Sequence, residues 1–274
     1  MPEGPEIKRV ADKVCKVLTG HKLLKVNAPY PTVSDFAREW EGCRVRSVTA
    51  RGKALLTRLD NDHIIYSHNQ LYGRWLTRKT EKEPKSNRSL RLALISDGGA
   101  AYLYSATDIE VLTEADIPNH PYLSKLGPDI LEPELTVAKV SKRLSSPIYK
   151  GRQLATLLLD QGFLAGPGNY LRSEILFESG LHPRCRPKDL PTKKRTRLAR
   201  AILKISARAY EQGGITTEPK LAARLKASGE RRRHYRHYVF GRTGLACRIC
   251  SSLVMREDIS SRSVFYCPSC QTRN

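Results

Sequence analysis

Two Cys-x2-Cys pairs, Cys247/Cys250 and Cys267/Cys270, stand sixteen residues apart near the end of the chain. Doubled pairs at this separation match a closed tetrahedral four-thiolate zinc site, a structural rather than a catalytic one. Four reduced core cysteines would leave the doubled spacing unexplained. Between the pairs, Val254–Tyr266 reads as a hairpin with Ser260-Ser261-Arg262-Ser263 at its tip. An arginine held there can grip a phosphate bidentately, although a solvated surface arginine fits the same pattern. The other cysteines, Cys15, Cys43 and Cys185, are scattered, which is a cytosolic, metal-binding usage and not a secreted disulfide framework.

The second constraint is charge. The chain has 274 residues, enough for two domains with real cores, and a formal net charge of +21. Between Arg184 and Arg242, 18 Lys/Arg stand against 4 Asp/Glu, so 14 of the 21 excess charges fall there. Clustering of this kind predicts a polyanionic partner. No apolar run is long enough to span a bilayer and no signal peptide is visible, so a cytoplasmic protein without a membrane partner is expected.

Along the chain, Ile7, Val10, Ala11, Val14, Val17 and Leu18 form one stripe of an amphipathic helix that Gly20 ends. Short β-rich runs follow to about residue 112: Leu23–Val26, Arg44–Val48, Ala54–Leu59, His63–Ser67, Leu90–Ile95 and Ala101–Tyr104. They predict a β-sandwich with the first helix laid against it. A Pro-, Gly- and Asp-rich linker covers Asn119–Pro133. Helices are then expected over Val137–Leu144, Arg152–Gln161, Tyr170–Glu178 and Lys193–Tyr210, and a loop over Gln212–Gly229. From Tyr238 the pattern is that of a pair of small hairpins. The fold class is α+β and multidomain: an N-terminal β-sandwich, a helical C-terminal domain and a zinc-bearing hairpin.

The chain starts Met1-Pro2-Glu3-Gly4-Pro5-Glu6. With Met1 removed, Pro2 carries a free secondary amine whose unperturbed pKa is about 7.7–8.0. Such an amine attacking a sugar C1′ forms a cationic iminium, an electron sink that drives elimination of neighbouring phosphates. Glu3 and Glu6 lie within reach to move protons. The same residues also make an ordinary helix start, with Gly4 as N-cap and Pro5 at the first helical position. Carboxylates favour the protonated amine and the helix N-terminus the neutral one, a balance left open here.

Three further stretches carry chemistry or ordinary structure equally well. Gly162-Phe163-Leu164-Ala165-Gly166-Pro167-Gly168-Asn169 is a tight turn between apolar helices, with Asn169 as N-cap and phosphate ligand, or as N-cap alone. Lys53, beside Gly52 before the strand Ala54–Leu59, reads alone as a solvated turn residue. Gln70-Leu71-Tyr72 follows an apolar strand; it can fill the gap left by an extruded base or close a strand edge onto the core.

Taken in order, the PEGPEI, RGKALL, YSHNQLYG and GPGNYLRSEIL segments and the four-cysteine hairpin resemble the formamidopyrimidine-DNA glycosylase/endonuclease VIII family, from Pro2 to about Cys270. Gly4 and the Gln70-Leu71-Tyr72 triplet are similar to the endonuclease VIII branch. The resemblance implies Pro2 as Schiff-base nucleophile, Glu3 as general acid assisted by Glu6, and Lys53 as proton donor and phosphate ligand. It implies that Arg262 holds the flipped nucleotide's phosphate, that Asn169 shares it from a helix–two-turn–helix, and that Gln70, Leu71 and Tyr72 occupy the void. Lys125 stands where this branch more usually shows Arg, and so contacts a phosphate without a bidentate grip. Pro167 removes one N–H donor from the turn.

The resemblance thus implies three domains: a catalytic sandwich (1–125), a linker with the helix–two-turn–helix (126–237) and a zinc finger (238–274). The function implied is a bifunctional glycosylase and abasic-site lyase that removes oxidised pyrimidines and cuts by β,δ-elimination. The partner is damaged double-stranded DNA and the protein a monomer. It holds one structural Zn2+ and no catalytic metal. An oxidised-purine glycosylase of the same family, and a non-catalytic zinc-finger DNA-binding protein, are the alternatives.

Overall fold

The first helix starts from its own acids. In the computed structural model, which describes residues Pro2–Arg273, α1 spans Gly4–Leu18 with Glu3 as its N-cap. The Glu6 carboxylate accepts the Glu3 N–H at 3.1 Å and Glu3 returns the bond, a reciprocal capping box. The cap therefore falls one residue before Gly4, because glycine offers no side-chain acceptor and glutamate does. Ile7, Ala11, Val14 and Leu18 form the buried stripe of α1.

That stripe packs onto two four-stranded antiparallel sheets. One has the order β1-β6-β7-β5, from β1 (Leu23–Asn27), β5 (Arg74–Arg78), β6 (Leu90–Ser96) and β7 (Gly99–Tyr104). The other has the order β2-β3-β4-β8, from β2 (Val45–Arg51), β3 (Ala54–Leu59), β4 (Ile64–His68) and β8 (Asp108–Leu112). One apolar core joins Leu23, Trp75, Leu92 and Leu103 of the first sheet to Val48, Leu55, Ile65 and Ile109 of the second, with Val14 of α1. The arrangement is a β-sandwich. Two short helices, α2 (Pro31–Ser34) and α3 (Ala37–Trp40), precede β2. Strands β5 and β8, absent from the sequence reading, are both sheet edges, and their alternating charges suit an edge while diluting the apolar signal.

Residues Met1–Lys125 form one compact unit and Leu126–Asn274 a second. The second contains α4 (Val137–Ser145), α5 (Leu154–Leu157), α6 (Asn169–Ser179), α7 (Thr192–Glu211), α8 (Pro219–Ala227) and α9 (Arg232–Tyr235). It ends in a hairpin of β9 (Met255–Ile259) and β10 (Arg262–Tyr266). Leu144, Leu157, Phe163, Leu171, Ile175 and Ile202 lie in its core.

Three expectations change here. Only Leu154–Leu157 of the Arg152–Gln161 stretch is helical, because Leu154 and Ala155 donate to the carbonyls of Cys185 and Pro183, while the Asp160 carboxylate takes the Gly162 N–H at 2.8 Å. Within Gln212–Gly229 only the Gly/Thr front is loop. Pro219 at its start and Lys, Leu, Ala and Arg thereafter make α8. The cysteine region has one ladder, β9–β10, plus a single bridge between Ala246 and Leu253, in place of two hairpins. Ser260 and Ser261 form the tip, both at positive φ (52° and 60°), so Arg262 opens β10 and does not sit in the turn. Among the described residues no helix is long and apolar enough to cross a membrane.

Candidate active site and four-cysteine cluster

In the first unit the candidate nucleophile and the proposed wedge share one wall. Pro2 lines a cavity of about 440 Å³ together with Asn69, Leu71 and Tyr72. Glu3, next to it, is only 4% exposed. The removal of Met1 concerns a residue outside the described ones. Lys53 follows Gly52, whose φ of +61° closes the tight turn from β2 to β3. It is 8% exposed, and its backbone N–H donates to the Tyr122 hydroxyl at 2.9 Å. The solvated-turn reading of Lys53 therefore fails: the side chain is buried.

His68, at the end of β4, was not singled out by sequence, yet it organises the next loop. Its ring meets Tyr122 edge-on at 5.3 Å, and its Nδ1 accepts the Gln70 N–H at 3.1 Å. Burial lowers the His68 pKa, with Asp108 opposing and Lys53 adding to the shift. The neutral imidazole that results can accept that bond. Gln70 takes a left-handed φ of +44°, and its side-chain oxygen accepts from Thr107. The Gly73 N–H closes the loop on the Asn69 carbonyl at 2.7 Å, and a Cβ at Gly73 would fall 2.6 Å from that oxygen. Leu71 and Tyr72 are thereby left 66% and 69% exposed on a pinned base, not folded onto the core. Lys125 lies in a short 3₁₀ turn, Leu123–Lys125, with its side chain exposed.

In the second unit Gly168, not Asn169, is the N-cap of α6. Asn169 is the first helical residue, and its side-chain oxygen instead accepts from Arg172. Arg172 is fully buried. It also donates to the carbonyl of Ser263 at 2.7 Å and, more weakly, of Arg262 at 3.3 Å. One guanidinium thus ties Asn169 to the strand on which Arg262 begins. In the preceding turn, the Gln161 side chain accepts the Gly166 N–H and donates to the Pro167 carbonyl.

One helical step from Arg172, Glu174 is buried among donors. Its carboxylate accepts the backbone N–H groups of Tyr238, Val239 and Phe240 at 2.8–2.9 Å and the Thr216 hydroxyl at 2.7 Å. Burial pushes its carboxyl up while these four bonds pull it back. His237, stacked on Tyr170, reaches the same hydroxyl at 2.9 Å. The one sequence signal was a pair of charges, Arg172 and Glu174, set among Leu171, Ile175 and Leu176 in one helix.

The sulfurs of Cys247, Cys250, Cys267 and Cys270 all lie within 4.8 Å of one another. Tetrahedral Zn–S bonds of about 2.3 Å imply sulfur–sulfur separations of about 3.8 Å. The Cys250–Cys267 and Cys247–Cys270 pairs, at 3.4 and 3.9 Å, suit that geometry. The donor set fits a structural zinc.

A β-sandwich bearing a terminal Pro-Glu pair, a helical unit and a four-cysteine hairpin define a class, and comparison with known proteins gives its family. Residues 1–106 match the formamidopyrimidine-DNA glycosylase N-terminal domain, and residues 126–220 its H2TH domain. Endonuclease 8 of Escherichia coli K12 is 43% identical over 271 residues, covering 99% of this chain and 100% of the relative; that of Shigella sonnei is 42% identical over the same span. The formamidopyrimidine-DNA glycosylase of Lactococcus lactis, solved on abasic-site DNA, superposes with a TM-score of 0.79 at 21% identity, over 98% of this chain and 99% of that one. MutM with 8-oxo-G DNA gives 0.78 at 22%, over 99% of each. The chain belongs to the formamidopyrimidine-DNA glycosylase family of DNA glycosylase/abasic-site lyases.

Proposed function

We propose that this protein excises oxidised pyrimidines from duplex DNA through Pro2 and then cuts the strand. The Pro2 nitrogen attacks C1′, and the bond from C1′ to the base breaks. The base leaves with a proton, the C1′–O4′ bond breaks with O4′ taking the proton that the proline nitrogen gives up, and the opened sugar is held as an iminium. Glu3, assisted by Glu6, supplies the proton that opens the sugar or releases the base. Loss of a C2′ proton then expels the 3′ phosphate, and a second elimination expels the 5′ phosphate. Water finally frees the amine. Lys53 serves as proton donor and phosphate ligand in the first elimination. Arg262 and Asn169 hold the phosphate of the extruded nucleotide, with Lys125 as an additional single-point contact. Gln70, Leu71 and Tyr72 fill the space that nucleotide leaves, offsetting an unstacking cost of a few kcal/mol.

What supports this reading most is Pro2 beside a 440 Å³ cavity, with Glu3 fixed by the capping box, in a chain 43% identical to endonuclease 8. We assign catalysis to residues 1–125, phosphate gripping to 126–237 and the zinc-clamped hairpin to 238–274. The setting is a bacterial cytoplasm, and the working form a monomer on the nucleoid. Zinc, held by the four cysteines, supplies only a fold constraint. Borohydride trapping on duplexes with thymine glycol, 8-oxoguanine or an abasic site tests the reading. The mature chain should form an adduct through Pro2 and turn over thymine glycol faster. An adduct on another side chain refutes the mechanism, and faster 8-oxoguanine excision favours the oxidised-purine alternative.

A further inference from the structure

The cavity beside Pro2 does not end at the wedge. It shares Lys13 and Thr77 with a second cavity of about 510 Å³, whose wall adds Lys16, Arg78 and Lys79. The two join into one groove between α1 and β5, the edge strand of its sheet. Lys13 and Lys16 come from the helix, Arg74, Arg78 and Lys79 from the strand and its end, and Arg88 from the following loop. All six are exposed, and among the described residues no acidic side chain lines either cavity. Asp97, adjoining the Gly98 end, is engaged by His21 at 2.6 Å. At the Pro2 end Tyr72 stands exposed, its backbone carbonyl held by Arg88 at 2.6 Å.

We propose that this groove binds single-stranded DNA flanking the lesion, which makes it an extension of the DNA site. The inference rests on the DNA-repair reading above. A cationic channel that follows a backbone, together with an aromatic face on which a base can stack, is the combination that holds single strands without reading sequence. The strand segment Arg74–Lys79 is about 16 Å long at roughly 3.3 Å per residue. That accommodates about three to five phosphates of one strand, whose rise is 3.4 Å in duplex and greater when drawn out. An acidic peptide satisfies the cations but leaves the aromatic end unexplained.

The test compares Lys16→Ser/Arg78→Ser/Lys79→Ser with the parent protein; none of the three residues is used in catalysis or in the wedge. Anisotropy is read at 0.15 M salt on a fully paired duplex carrying a stable abasic analogue, and on the same lesion at a single-strand junction. The parent should bind the junction more tightly. The triple variant should lose that increment, roughly ten- to fiftyfold for three phosphate contacts, and its log K against log salt should flatten by about 2 on the junction alone. Borohydride trapping on paired abasic DNA should be unchanged. Equal losses on both substrates, or no junction preference in the parent, overturn the inference, as does a polyglutamate peptide that binds the groove when the junction's single strand does not. Failure of the parent to trap at all would instead refute the catalytic reading.

Discussion

Glu174 is expected to hold the entrance of the zinc-bearing segment to α6, and two substitutions separate its hydrogen bonding from its charge. In Glu174→Ala the N–H groups of Tyr238, Val239 and Phe240 lose their acceptor, while the Thr216 hydroxyl retains the Arg236 carbonyl and His237. Each orphaned buried donor costs about 1–3 kcal/mol, so three cost about 3–9 before any cavity is counted. In Glu174→Gln the amide oxygen can serve Val239 and Phe240 as Oε1 does now, leaving the Tyr238 N–H opposite an NH2, from which the Thr216 hydroxyl can turn to accept. That orphaned donor costs about 1–3 kcal/mol, and loss of the buried charge gives back part of it. For a unit of this size each kcal/mol lowers Tm by about 2–4 °C. The alanine variant should thus melt at least about 6 °C lower and the glutamine variant by clearly less than the alanine one. Amide hydrogen exchange gives the sharper assay. Protection at residues 238–240 should collapse in the alanine variant and fall chiefly at Tyr238 in the glutamine one. Undiminished protection at all three amides in Glu174→Ala would refute the clamp.

Lys53→Met retains the buried stem and removes the ammonium. Single-turnover elimination should fall about 10²-fold or more with Tm nearly unchanged, and elimination within threefold of the parent would count against a proton-transfer role. Cys250→Ser should reduce bound zinc from one per chain towards zero and weaken DNA binding, as metal analysis and anisotropy would show; full zinc occupancy would refute the four-thiolate site. His237 is kept well below the ordinary imidazole pKa by burial, then by Arg236 and Arg232. The folded unit therefore binds fewer protons than the unfolded chain below about pH 6.5. The stability this contributes is present above that pH and is lost as pH falls, at up to about 1.4 kcal/mol per pH unit. Denaturation midpoints between pH 7 and 5 should show a shallower decline in His237→Asn, and parallel curves would reject the assignment.

What local pattern could and could not disclose follows the distance over which each feature is made. The α1 stripe, the strand Ala54–Leu59 and the cysteine pairs are periodicities or spacings within a few turns of chain, and they were readable. The edge strands β5 and β8 were not, because each is only five residues long and carries charge at two of them, which dilutes the apolar signal. Lys53 looked solvated beside its glycine; Tyr122, sixty-nine residues away, covers its backbone and no neighbouring residue announces it. The Glu174–Thr216–His237 cluster joins three positions spread over more than sixty residues. Only the placing of Arg172 and Glu174 among Leu171, Ile175 and Leu176 left a trace, since charge on the apolar face of a helix is rarely buried without a partner for it.

The same distinction separates the cations that hold the fold from those that face solvent. Part of the excess between Arg184 and Arg242 is built into the fold: Arg208 donates to the Thr216 carbonyl, Arg236 to Gly214, and Arg242 to Tyr238 and Ala246, while most of the other basic side chains of this segment are exposed. Guanidinium groups in such clamps still contribute to the long-range field that draws a polyanion in. They do not, however, present their donors to a phosphate. The exposed cations along α1 and β5 number fewer, yet they face one groove without an acid among them. Attraction therefore belongs to the total charge, and placement to the side chains whose donors point outward; the groove beside Pro2 gathers such side chains along one channel, which makes it a place to look for a second length of strand.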